Sequence, residues 1–187
     1  MNKKIKVFLL IAFILALFLG GFQLYNNLTN DKLPGNTIAK SDEGQKSIAP
    51  DFTMLDMDGN EVKLSDFAGE PVIINFTASW CPNCKAEKAD YQKAYNAFGD
   101  KVNFIILSMI DGNRETLDTA KKYIKENEYT FPSYYDINLE GAYAYAAYSV
   151  PMTVFIDKDG YVQTSYLGPI NEAILKSYSE TLFNLKL

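Results

Sequence analysis

Val72-Ile73-Ile74-Asn75-Phe76-Thr77-Ala78-Ser79-Trp80-Cys81-Pro82-Asn83-Cys84 runs from a β-rich apolar stretch straight into two cysteines separated by two residues. A strand covered on both faces reads as a continuous apolar run, so residues 72–76 are expected to form the centre of a sheet. From Cys81 to Phe98 the chain is rich in alanine, lysine and glutamate. Ala86, Ala89, Tyr91, Ala94, Tyr95 and Phe98 recur at helical spacing, and Gly99 marks the stop. A strand that feeds directly into a helix puts both cysteines at the carboxyl edge of the sheet, at the positive end of the helix, where a thiolate is stabilised. Pro82 suits the first turn, where its missing N–H costs nothing.

Two intervening residues let the sulfurs bond reversibly within one turn. A bridge closing so short a loop would be a weak structural staple. With only two cysteines and no histidine in the chain, half a metal site lacks its second ligand pair. The pattern therefore predicts a redox dithiol. Cys81, at the helix start, is expected to be the exposed attacking thiol, and Cys84, one turn in, the resolving one.

On either side, Asp58-Gly59-Asn60 separates residues 52–55 from 61–64, and Asp157-Lys158-Asp159-Gly160 separates 152–156 from 161–166. Both read as hairpins. Further strands are expected at 102–109 and 132–135, and helices at 114–127, 139–148 and 171–183. Together these elements give an α/β fold, a mixed sheet flanked by helices with an N-terminal β-hairpin.

The chain of 187 residues, 48% apolar and 22% charged, has the balance of one globular unit. Its net charge of −5 divides into +3 before residue 31 and −8 beyond, which argues against nucleic acid as a partner. The lack of histidine removes Ser-His-Asp and Cys-His nucleophiles. No metal or other cofactor is called for.

Lys3, Lys4 and Lys6 precede an apolar run that is free of charge until Asp31. Residues 1–25 read as a membrane anchor or a signal peptide. Cleavage after Gly20 or Gly21 would leave Phe18 or Leu19 where a small residue is wanted. From Val7 through Tyr25, a helix would span roughly 28 Å, close to the hydrocarbon thickness. One transmembrane helix is thus the favoured reading, with its lysines cytoplasmic and the domain on the extracytoplasmic side. Residues 26–47 read as a flexible tether, and the folded domain is expected over 48–187.

Ala49-Pro50-Asp51-Phe52, Leu64-Ser65-Asp66-Phe67-Ala68-Gly69, the stretch from Ile74 to Cys84, and Val150-Pro151-Met152-Thr153 resemble the TlpA/ResA-like branch of the thioredoxin superfamily, related to the AhpC/TSA proteins, over about residues 48–180. The resemblance implies a thioredoxin-like fold and a membrane-tethered thiol–disulfide oxidoreductase. Its partners would be exported thiol or disulfide proteins, such as apocytochrome c or a methionine sulfoxide reductase. It would work as a reductant and draw electrons from a CcdA-like membrane thiol transporter.

Pro151 matches the family's cis-proline, which with Trp80, Pro82 and Val150 would face the substrate. Glu87 matches an acid three residues past the second cysteine, either a proton acceptor for Cys84 or an ordinary solvated glutamate. Asn75 stands where thioredoxin carries a buried aspartate, and Ala89 where the family often has proline. Tyr143, Tyr145 and Tyr148 read as aromatic core in preference to a substrate groove.

A thiol peroxidase shares the opening motif, but it wants Pro and Thr at the positions held by Ile74 and Ala78. A disulfide-forming oxidase of exported proteins is a further alternative, because Pro82-Asn83 does not fix the potential. A non-catalytic peptide or haem receptor would leave the dithiol unexplained.

Overall fold

The computed structural model describes residues 47–187, together with Gly20. The anchor expected over 1–25 and the tether expected up to residue 46 lie outside the described residues. Among those described, no helix is long and apolar enough to cross a membrane.

Among the described residues, eight strands form one sheet in the order β1-β8-β7-β4-β5-β6-β2-β3. They are β1 (Ser47–Ile48), β2 (Thr53–Leu55), β3 (Glu61–Lys63), β4 (Val72–Thr77), β5 (Asn103–Met109), β6 (Ser133–Asp136), β7 (Met152–Ile156) and β8 (Tyr161–Leu167). β4, β5 and β6 run parallel, whereas β7 and β8 are antiparallel additions on the other side of β4. β4 is central and every residue of it is buried, as its apolar run requires. Ser47, read as the end of the tether, instead pairs with Val162 as the first residue of β1.

Among the described residues, four helices cover the sheet: α1 (Pro82–Phe98), α2 (Leu117–Glu126), α3 (Glu140–Ala144) and α4 (Glu172–Phe183). Because side chains alternate along a strand, β4 feeds two cores. Val72, Ile74 and Phe76 join Phe52, Met54 and Ala142 on the face of α3 and the N-terminal hairpin. Ile73 packs with Tyr91, Phe98, Phe104, Ile124, Phe155 and Leu175 under α1, α2 and α4. By the same alternation Asn75 and its β7 neighbour Thr153 face α1.

Three expected boundaries move for local reasons. The helix expected from Arg114 begins at Leu117, because Asp111 Oδ1 accepts the N–H groups of Asn113, Arg114 and Glu115 and folds a turn there, after which Thr116 caps the helix. The helix expected to reach Tyr148 ends at Ala144, and Ala146 adopts a left-handed conformation at φ 51°. Leu64, expected to end a strand, opens a 3-10 turn over Leu64–Phe67. The architecture is a thioredoxin-like α/β fold, a mixed sheet between helical layers.

Candidate active site

The chain leaves β4 at Thr77 and turns through Ala78, whose carbonyl accepts the Cys81 N–H at 3.2 Å. Cys81 then caps α1 with its own sulfur. It is the N-cap residue, and Cys84 N–H donates to Cys81 Sγ at 3.2 Å. Pro82 occupies the first turn, as its lack of an N–H permits. Cys81 and Cys84 are joined as a disulfide with their Cα atoms 5.2 Å apart.

A donor N–H and the positive helix end both converge on Cys81 Sγ, so negative charge released by opening the bridge is better stabilised there than on Cys84. The expectation that Cys81 is exposed is corrected. Only 4% of the residue is accessible, against 1% for Cys84. The cause is the packing of Val150 against Ala78 and both cysteines. Cys81 Sγ lies 3.7 Å from the Val150 carbonyl oxygen. The Val150–Pro151 peptide is cis, and Pro151 is buried immediately before β7. Trp80 is partly exposed, with the Arg114 guanidinium 3.4 Å from its ring centroid. Beside them a cleft of about 330 Å³ is lined by Trp80, Met109, Leu139, Tyr148 and Val150, among others.

One helical turn past Cys84 lies a buried polar network. Glu87 is not a solvated glutamate; it is buried, as helical register one turn past Cys84 allows. Its Oε1 accepts from Asn75 Nδ2 at 2.9 Å, and its Oε2 from Ile170 N–H at 3.0 Å. Lys88, also buried, donates to Asn75 Oδ1 and sits 3.6 Å from Glu87 Oε1. The Tyr91 hydroxyl shares a 2.6 Å hydrogen bond with Thr153 Oγ1.

Burial pushes the Glu87 carboxyl above the usual glutamate range, while the Lys88 charge and the hydrogen bonds from Ile170 and Asn75 oppose that rise. The same burial brings Lys88 down to about 8 against the pull of Glu87, and it raises Tyr91 well above the usual phenol value.

A second carboxylate supports the loop ahead of the motif. Glu115, buried between β5 and α2, accepts from both Ser79 N–H and Ser79 Oγ at 2.8 Å through Oε2. Burial raises its carboxyl too. Sequence reading missed both Lys88 and Glu115. An asparagine inside an otherwise apolar strand demands a buried polar partner from the helix packed on it, and that signal pointed to Glu87.

The tyrosine cluster divides. Tyr145 packs against Phe52 and Phe76, but Tyr143 and Tyr148 are 68% and 79% exposed, which corrects their reading as core. Between them the chain turns through Ala146 at a left-handed φ of 51°, and Ala147 is buried. Among the described residues, no three His, Cys, Asp or Glu side chains converge as a metal cradle.

Residues 46–165 match the AhpC/TSA family. The chain is 28% identical over 182 residues to the thiol-disulfide oxidoreductase ResA of Bacillus cereus, covering 97% of this chain and 99% of that one. With the ResA of Oceanobacillus iheyensis it shares 30% identity over 95% of its own length and 90% of the relative's. The crystal structure of StoA from Bacillus subtilis superposes with a TM-score of 0.63 at 25% identity, over 72% of this chain and 99% of StoA. With the dithiol at the strand–helix junction and likeness to these oxidoreductases along nearly its whole length, the chain belongs to the AhpC/TSA family of the thioredoxin superfamily, on its ResA/StoA-like thiol–disulfide oxidoreductase branch.

Proposed function

We propose that this protein reduces disulfides of exported proteins on the outer side of the cytoplasmic membrane. Residues 1–25 anchor it, 26–47 tether it, and 48–187 carry the chemistry. The observation that carries the assignment of roles is the 3.2 Å contact from Cys84 N–H to Cys81 Sγ. It favours the thiolate on Cys81, the nucleophile that attacks the substrate disulfide. One substrate sulfur leaves as a thiolate and the other stays bound to Cys81.

Cys84 then gives its proton to Glu87 and attacks Cys81 Sγ. The Cys81–Cys84 bond forms, the mixed disulfide breaks, and both electrons of the dithiol have passed to the substrate. Trp80, Pro82, Val150 and Pro151 border the place where the substrate chain lies, and the apolar cleft between Trp80 and Tyr148 receives its side chains. The Val150 carbonyl oxygen beside Cys81 Sγ offers an acceptor to an extended substrate backbone.

The reducing direction is supported by the carboxylate of Glu87 one turn past Cys84, which disfavours a second negative charge near the thiols. Apocytochrome c or a methionine sulfoxide reductase is the substrate class that the family resemblance favours, with a CcdA-like transporter returning electrons.

Trapping in cells tests the roles. Cys84→Ala should accumulate mixed disulfides with exported proteins through Cys81, and Cys81→Ala should accumulate few. Equal trapping by the two variants, or the reverse order, would refute the assignment.

A further inference from the structure

Lys88 is only 1% exposed, so its ammonium has left water behind. Isolated, such a charge would be very costly, and it is tolerated where a partner of opposite sign and hydrogen bonds compensate it. The fold supplies both from two elements. On α1, Glu87 precedes it, and Lys88 Nζ lies 3.6 Å from Glu87 Oε1. From β4, Asn75 divides its amide between the two charges: its oxygen accepts from Lys88 Nζ, and its nitrogen donates to Glu87 Oε1.

That division fixes which end of the amide faces which charge, because a carboxylate only accepts and an ammonium only donates. The Tyr91 ring closes the remaining side, 5.2 Å from Nζ. The titratable groups facing Lys88 are thus Glu87 and Tyr91 on its own helix. β4 and β7 bring the neutral Asn75 and Thr153, and the segment before α4 brings the Ile170 N–H to Glu87.

Lys88 follows Cys84 by four residues and Glu87 follows it by three, so all three share one face of α1 within a turn. We propose that Lys88 is a positioning residue of the redox centre, the counter-charge that keeps the Glu87 carboxylate ionised and fixed beneath Cys84, ready to take the resolving thiol's proton. This rests on the role given to Glu87 above. Lys88 touches neither sulfur nor substrate and stays an ammonium throughout. The proton moves from Cys84 to Glu87, and the electron pair from Cys84 to the Cys81–Cys84 bond.

The sign of the effect follows from burial. Desolvation alone drives Glu87 toward its protonated form and Lys88 opposes it. An opposite charge at this distance moves a carboxyl pKa by roughly one to three. Lys88→Gln keeps a donor for Asn75 but deletes the charge, so the Glu87 carboxyl should titrate at a pH higher by at least about one.

The test uses the full chain in detergent with 13C-labelled glutamate. The Glu87 carboxyl signal is identified by its loss in Glu87→Gln and followed against pH in the wild type and in Lys88→Gln. In parallel, single-turnover oxidation of the reduced chain by oxidised glutathione is timed across the same range. In Lys88→Gln the acid limb of that rate should move up with the carboxyl titration. At a fixed pH on the limb, the rate should fall about tenfold if the titration midpoint rises by one, and it should recover at high pH. A purely structural defect would lower it at every pH.

A mutation-free measurement stands beside this one. In the wild type the Glu87 signal should respond again as Lys88 loses its proton near the value of about 8. A carboxyl titration and acid limb that overlay the wild type in Lys88→Gln, or a wild-type Glu87 signal blind to Lys88, would overturn the proposal. An unchanged acid limb in Glu87→Gln would instead overturn the role of Glu87 itself.

Discussion

Replacing Glu115 by alanine should loosen the turn that presents Trp80 and Cys81. The carboxylate is fully buried and accepts two hydrogen bonds from Ser79, both at 2.8 Å. Hydrogen bonds to a charged group contribute about 1.5–3 kcal/mol each, so losing both costs about 3–6 kcal/mol. Against this, the second oxygen, Oε1, has no hydrogen-bond partner among the described residues. Deleting it relieves about 1–3 kcal/mol of desolvation, and the difference of the two mid-range values is a net loss of about 2.5 kcal/mol.

With a urea slope of about 2 kcal/mol/M, the unfolding midpoint should drop by about 1 M or slightly more. Glu115→Gln keeps an acceptor for Ser79 and should lose about half as much. Exchange should slow as well, because a misplacement of about 1 Å at a reacting group can cost up to about 100-fold. Urea unfolding of the oxidised chain and single-turnover reduction of a disulfide peptide give the two readouts. If Glu115→Ala unfolds within about 0.2 M of wild type and reacts at the wild-type rate, the carboxylate is no clamp and the reasoning fails.

The buried carboxyls Glu115 and Asp136 are both raised by burial, so in each the folded state favours the protonated form. Their contribution to stability is therefore complete below the unfolded carboxyl range and is lost as pH rises through their folded values. The urea midpoint of wild type relative to Glu115→Gln should decline as pH rises from about 4 toward neutrality, and a difference that grows over that interval would contradict the assignment. For the N-terminal segment, the native protein should sediment with membranes and resist alkaline carbonate extraction. Recovery of most of it as a soluble form starting beyond Phe22 would remove the anchor.

How much of this could be read in advance depended on whether one element or several set the outcome. The apolar run of β4, the helical spacing after Cys84 and the Asp-Gly turns of both hairpins are local patterns, and each element appeared where its pattern lay. Lys88 was illegible because a lysine in a helix ordinarily turns to water. Asn75 from β4 and Glu87 on its own helix make its buried site polar. Glu115 was hidden for a different reason. Helical propensity from Arg114 onward ignores Asp111, whose side chain captures three successive N–H groups and bends the chain so that Glu115 points back at Ser79. Tyr143 and Tyr148 were misjudged because aromatic character reports what a side chain can bury, not whether the short α3 turns it inward.

The two buried carboxylates near the dithiol illustrate how environment divides one residue type into two tasks. Glu115 is held by neutral donors alone, the N–H and hydroxyl of Ser79, and its hydrogen bonds run to the loop that carries the motif. A change of its charge alters both bonds to that loop at once, so Glu115 is poorly placed to carry a proton during turnover. Glu87 has a full counter-charge on one side and an amide that touches both charges. When it accepts a proton, the Lys88 ammonium keeps its bond to Asn75, and the Ile170 N–H still has an oxygen to meet. The network can therefore hold its shape through a change of one charge. That property makes Glu87 the carboxylate suited to proton transfer and Glu115 the one suited to support.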